Sequence, residues 1–205
     1  MKKFELTNEF ITNMFGTKLF RIRALVEFGD VEAGELGGYV EKESNLGHDD
    51  NAWVYDNAWV YGDAQVSGDA LVYDNARVYG NARVYGDAQV SGDALVYGNA
   101  WVYGNAQVSG DARVCGDARV CGNGDYAYAH GFGSVNRTTT FFRLKDGGVG
   151  VRCGCFYGTL AQFRDKIRET HGETKKAQEY LMLADLMELR FEEDENEVGN
   201  RKYVE

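Results

Sequence analysis

The chain has 205 residues, among them 26 glycines, 13 tyrosines and no proline, with 44% hydrophobic content and a net charge of −10. That hydrophobic fraction excludes wholesale disorder, and the acidic balance argues against binding nucleic acid by neutralising phosphates. No stretch reaches the roughly 18–20 apolar residues of a membrane span, and MKKFELTNEF lacks the apolar run of a signal peptide. Four cysteines (Cys115, Cys121, Cys153, Cys155) are then expected to be reduced thiols in a cytoplasmic protein.

In chain order, the first predicted element is a strand over LFRIRAL (19–25). The segment FGDVEAGELGGYVEKESNL (28–46) follows, with Val40 and Leu46 six residues apart. It reads as an irregular coil that caps the end of a repeat array, so residues 1–50 form one unit. Gly-rich pieces such as GELGG are followed by no Lys-Ser/Thr, so they are not a phosphate loop.

From Ala52 to Asn123 a six-residue unit, Ala-x-Val-(Tyr/Ser/Cys)-(Gly/Asp)-(Asp/Asn), recurs twelve times without a slip. Ala and Val are two apart and share one side of an extended segment, while their neighbours point the other way. Gly, Asp and Asn tolerate left-handed backbone angles, so each unit ends in a sharp corner. A strand and a corner repeated identically make a coil that climbs about 4.8 Å per layer as parallel strands. A set of antiparallel hairpins would need longer strands and turns of alternating geometry. Proline has no N–H for such ladders, and its absence fits them. The solenoid is expected over 51–134.

Residues 135–205 change character. TTTFFRLKD and VGVRCGCFYG flank Gly147–Gly148 and read as a β-hairpin. In TLAQFRDKIRETHG, Thr159 and Gln162 form a capping box, Leu160, Phe163 and Ile167 share a helical face, and Gly172 is a stop. A second helix over 174–191 carries Ala177, Tyr180, Leu181, Ala184, Met187 and Phe191 at helical spacing, ahead of the charged tail EEDENEVGNRKYVE. The expected fold is mainly β, a parallel β-helix with a small α+β C-terminal domain of one hairpin and two helices.

The unit resembles the hexapeptide signature of left-handed β-helix proteins, a three-sided solenoid in which three repeats make one coil. At that eighteen-residue spacing Val54, Val72, Val90 and Val108 stack on a first wall. Val60, Val78, Val96 and Val114 stack on a second, and Val66, Val84, Val102 and Val120 on a third. Together RIRAL, FGDV, GELGGYV and ESNL, followed by NAWVYDNA, resemble a phage and prophage family, YdcK-like or polymer-forming, over about two thirds of the chain. That family implies no settled activity.

Outward positions then form columns: Tyr61, Tyr79 and Tyr97 closed by Cys115, Tyr85 with Tyr103, and Tyr55 with Tyr73. Stacked pairs on one sheet face contribute about 0.2–1 kcal/mol each, which suffices for a purely structural role. Exposed aromatics beside acids also mark interfaces. The candidate binding surface is therefore Tyr61, Tyr79, Tyr97, Tyr85 and Tyr103 with Asp63, Asp69 and Asp87. Corners alternate acid with amide (Asp63, Asn81, Asn99, Asp117), which dilutes repulsion. Arg77, Arg83, Arg113 and Arg119 are dispersed among acids and make no nucleic-acid groove.

The functional expectation is a non-enzymatic scaffold or protein-binding module of phage or prophage type, acting in the host cytoplasm without cofactor or metal. Its partner would be a protein, basic or nucleic-acid-binding, such as a host defence protein; homo-oligomerisation is compatible with this, direct nucleic-acid or membrane contact is not. The alternative is a hexapeptide-repeat acyltransferase using acyl-CoA. Such enzymes interrupt their coils with a loop carrying a histidine, and the run 52–123 has neither. Only His48, His130 and His171 exist, and His130 would be the base. Cys153-Gly-Cys155, with His130 or His171, is a weak metal pattern because structural zinc sites show two spaced pairs.

Overall fold

The computed structural model describes residues 1–133 and 136–192. The chain opens with β1 (Phe4–Thr12), β2 (Lys18–Ala24) and β3 (Leu36–Val40), an antiparallel meander. Strand β2 is the expected one. Strand β1 is additional, and its pairing shifts register between Leu6 and Phe10.

Twelve two-residue strands follow, from Trp53–Val54 to Arg119–Val120, six residues apart and in parallel pairing with the strand eighteen residues on. They form three walls, and the valines fall as expected: Val54 pairs with Val72, Val60 with Val78 and Val66 with Val84. Tyr39–Val40 pairs in parallel with Trp59–Val60, and Leu46 bridges to Val66, so the irregular segment adds a coil and makes about five turns. The strands are short, yet the ladder continues through the corners. Trp59 N donates to Ala76 O at 2.9 Å, Tyr61 N to Val78 O at 3.0 Å and Asn81 N to Gly98 O at 2.8 Å.

Every repeat Ala and Val is buried in one continuous core. Fully burying a valine stabilises by about 1.5–3 kcal/mol before conformational entropy is subtracted. The left-handed backbone is confined to the fifth position of the unit: Asp56, Asp74 and glycines such as Gly68 and Gly86 have positive φ, and the sixth position does not. At Gly68 (φ +68) an added methyl would lie 2.8 Å from the Gly86 nitrogen one coil on. The corner glycines thus serve both the turn and the close stacking of coils.

Both ends are closed. At the first coil, Trp53 is wholly buried under Phe4 and Phe28, with ring centroids 6.2 and 5.3 Å away. Lys3 Nζ donates to the carbonyls of Asp50 and Ala52 at 2.6 and 2.9 Å. At the last coil a four-stranded antiparallel sheet lies across the end: β4 to β15 being the solenoid strands, it comprises β16 (Tyr126–Phe132), β17 (Arg137–Arg143), β18 (Val149–Cys153) and β19 (Phe156–Thr159). Arg113 N donates to Thr140 Oγ1 at 2.9 Å, Lys145 N to Asp117 O at 3.0 Å, and Leu144 bridges to Ala118.

This sheet corrects the single hairpin expected from the sequence. The decaying repeat YAYAHGF is its first strand, ahead of the expected boundary at 135. Gly154 (φ +57) splits VGVRCGCFYG into two strands. Helices α1 (Leu160–His171) and α2 (Lys175–Phe191) pack on its far side. Thr159 and Gln162 make the capping box reciprocally, and Gly172 closes α1. The tail from residue 193 lies outside the described residues.

Candidate functional site

The Tyr61 and Tyr85 columns stand as the eighteen-residue spacing requires. Tyr61 and Tyr79 stack with centroids 5.0 Å apart and planes within 6°, Tyr79 and Tyr97 at 5.0 Å and 3°, and Tyr85 and Tyr103 at 5.1 Å and 7°. Stacking hides most of each ring. Burial accordingly pushes the phenol pKa of Tyr61, Tyr79, Tyr85 and Tyr97 above the ordinary value, and at Tyr97 a hydrogen bond with the Cys115 thiol adds to it. Tyr103 is only 8% exposed, so it backs its column rather than offering a surface. The two columns lie on different walls, and the candidate set divides between two faces.

Asp63, Asp69 and Asp87 are exposed at the corners beside these columns. Asp63 accepts from Lys42 Nζ at 2.8 Å, which holds its carboxyl below the ordinary range, and Asp69 accepts from Asn51 Nδ2 at 2.7 Å. Asn81 Nδ2 donates to Asn99 Oδ1 at 3.2 Å, and Asn99 Nδ2 to Asp117 Oδ1 at 3.1 Å. The mixed acid and amide edge is therefore a hydrogen-bonded ladder.

Two features escaped the reading of the sequence, and the eighteen-residue spacing encodes the first of them. First, three of the rod's arginines are held by tryptophans one coil away. Arg77 lies 4.2 Å above the Trp59 ring, and Trp101 is sandwiched by Arg83 at 5.2 Å and Arg119 at 4.2 Å. Each contact stabilises by about 0.5–1 kcal/mol at an exposed site. Second, the corner after the first wall carries one carboxylate in every coil: Asp56, Asp74, Asp93 and Asp111, all exposed. Asp74 Oδ2 accepts from Gly92 N at 2.9 Å. This corner also carries Asn57 and Asn75, but unlike the other two it has a carboxylate in each of its four coils. The coils climb about 4.8 Å apiece, and the acidic column steps from the fifth position of the unit to the sixth between Asp74 and Asp93.

His130 is exposed on β16. Its Nδ1 is 2.8 Å from Thr138 Oγ1 and 3.6 Å from Asp111 Oδ2, so both neighbours address the same ring nitrogen. His48 stacks on Phe4 at 4.5 Å, in the N-terminal cap.

A cleft of about 290 Å³ opens in the C-terminal module between the β18–β19 turn and the two helices. Phe156, Phe163, Ile167 and Tyr180 supply its apolar wall, and Arg137, Lys166 and His171 its basic one. Cys153 and Cys155 flank the Gly154 turn, so they do not share one strand face as a C-x-C within a strand would. The Thr139 hydroxyl donates to Cys153 Sγ at 3.1 Å; that thiol meets the Tyr180 hydroxyl at 3.9 Å, and Cys155 is exposed. Burial and the neighbouring Cys153 raise the Tyr180 phenol to about 12. Among the described residues no three His, Cys, Asp or Glu side chains are placed to hold a metal, and no helix is long and apolar enough to cross a membrane.

Residues 64–78, 76–90, 88–104 and 106–122 each match the family model of the YdcK β solenoid repeat. The chain therefore carries at least four consecutive repeats of that kind within its solenoid. No curated protein matches it.

Proposed function

We propose that the chain is a non-enzymatic scaffold, an end-capped rod that offers the side of its solenoid to a basic protein. The acidic column Asp56, Asp74, Asp93 and Asp111 carries this reading. Charges of one sign at such a spacing reinforce each other's potential over a Debye length, which steers an oppositely charged partner and suppresses others. Buried Trp53 at one end and the sheet at the other support sideways recognition over end-to-end polymerisation. The half-hidden tyrosines stiffen the surface and add apolar borders to it.

A nucleic-acid-binding protein is the partner class that such a column fits. The resemblance to prophage repeat proteins points to a host protein, including a defence protein, in the host cytoplasm. Nothing at His130 favours the acyltransferase alternative: its ring is exposed, and the nitrogen that Thr138 engages is the one facing Asp111.

The test is capture from a host-type lysate by the full chain and by a variant carrying D56N, D74N, D93N and D111N. A basic protein retained at low salt, released at high salt and bound about tenfold more weakly by the variant is expected. Retention indifferent to both changes contradicts the reading.

A further inference from the structure

We infer that the C-terminal cleft is a binding site for a small organic monoanion, a carboxylate on an apolar or aromatic body. This site is independent of the acidic column. It lies beyond the four-stranded sheet, whose near face seals the rod.

The wall and the charge each select a part of that ligand. Phe163 and Ile167 from α1 and Tyr180 from α2 present apolar surface, and Phe156 joins them from β19. Ligand pockets are built in this way, apolar with a few convergent polar groups, and about 290 Å³ suits a single small molecule. The basic side is unusual in a chain of net charge −10. Lys166 is shared with Glu169 at 2.8 Å, and His171 stacks on Tyr180. Arg137 therefore supplies most of the positive charge, which a monoanion balances and a dianionic phosphate would exceed. A guanidinium matches a carboxylate with two parallel hydrogen bonds. The Tyr180 hydroxyl is a second polar group on the wall; its side chain is 5% exposed, and a long contact to the Cys153 thiol is its described hydrogen bond.

The test uses the full chain with 3-phenylpropionate as probe and Cys155 as reporter. Cys155 lines the cleft and is exposed, and Cys121, also exposed, lies at the end of the solenoid as an internal reference. Carbamidomethylation of each thiol is followed by mass spectrometry. Saturating probe is expected to slow Cys155 about tenfold and leave Cys121 unchanged. The variant R137Q should need at least about tenfold more probe, since a neutral amide keeps neither charge-assisted hydrogen bond. The neutral amide of the probe should protect far less. Unchanged Cys155 reactivity overturns the site. Equal protection by acid and amide overturns the anion, leaving an apolar cleft, and equal slowing of Cys121 overturns the location.

Discussion

Phe141 and Phe142, adjacent on β17 and each fully buried, belong to different cores. Phe142 packs with the last coil of the solenoid, and Phe141 packs at 6.0 Å, edge-on, against Phe163 of α1. The pleat of one strand thus joins rod and helices: alternate side chains face opposite sides, and β17 has a hydrophobic layer on both. Each phenylalanine replaced by alanine should cost about 3–5 kcal/mol. The losses should separate by hydrogen exchange. F142A is expected to deprotect Arg113 N, which donates to Thr140, and F141A to deprotect α1 and α2 with the solenoid unchanged.

The valine stack sets the stability of the rod. Val84 sits mid-wall at 0% exposure, and V84D places a carboxylate where no partner and no water reach it. A loss of at least about 3 kcal/mol is expected by urea unfolding. The same change at exposed Gln65, on the outward side of the same wall, should stay within about 0.5 kcal/mol.

Corner glycines differ in a way that a pair of substitutions resolves. G68A forces a side chain into left-handed backbone and toward the next coil, so about 1–3 kcal/mol should be lost. Gly122 has no positive φ and open space around its α-carbon, and G122A should be close to neutral. Thermal melts of the two variants give the comparison.

Alkaline pH should act in two opposite steps. Burial lowers Lys3 from 10.5 to about 8, so between pH 8 and 10.5 the unfolded chain binds more protons than the folded one. Stability therefore rises with pH across that window. Above pH 10 the stacked tyrosines keep protons that the unfolded chain releases, and stability falls. Urea midpoints measured against pH should show the rise and then the fall. K3M should remove the rise alone.

The solenoid was legible because one period governs 72 residues, and a period is a property of sequence. Its tyrosine columns followed by counting eighteen, and the Trp–Arg stacks are readable by the same count. The acidic corner is not, because its carboxylate moves from the fifth to the sixth position of the unit between Asp74 and Asp93. Strand β1 was not, because FELTNEFIT is exposed or half-covered along most of its length and its pairing shifts register. Trp53 and Trp59 occupy identical AWVY units, yet only Trp53 is wholly buried, since Phe4 and Phe28 reach it from outside the array. The cleft was beyond reach for a similar reason: Arg137, Cys155, Lys166 and Tyr180 come from four separate stretches, and no local pattern announces their meeting.

The most direct measurement of the scaffold reading is zero-length carboxylate-to-amine coupling of the chain to its captured partner, mapped by mass spectrometry. Sideways recognition by the acidic column predicts couplings from Asp56, Asp74, Asp93 and Asp111 to lysines of the partner. Couplings confined to acids of the C-terminal module, with none from the column, would contradict it.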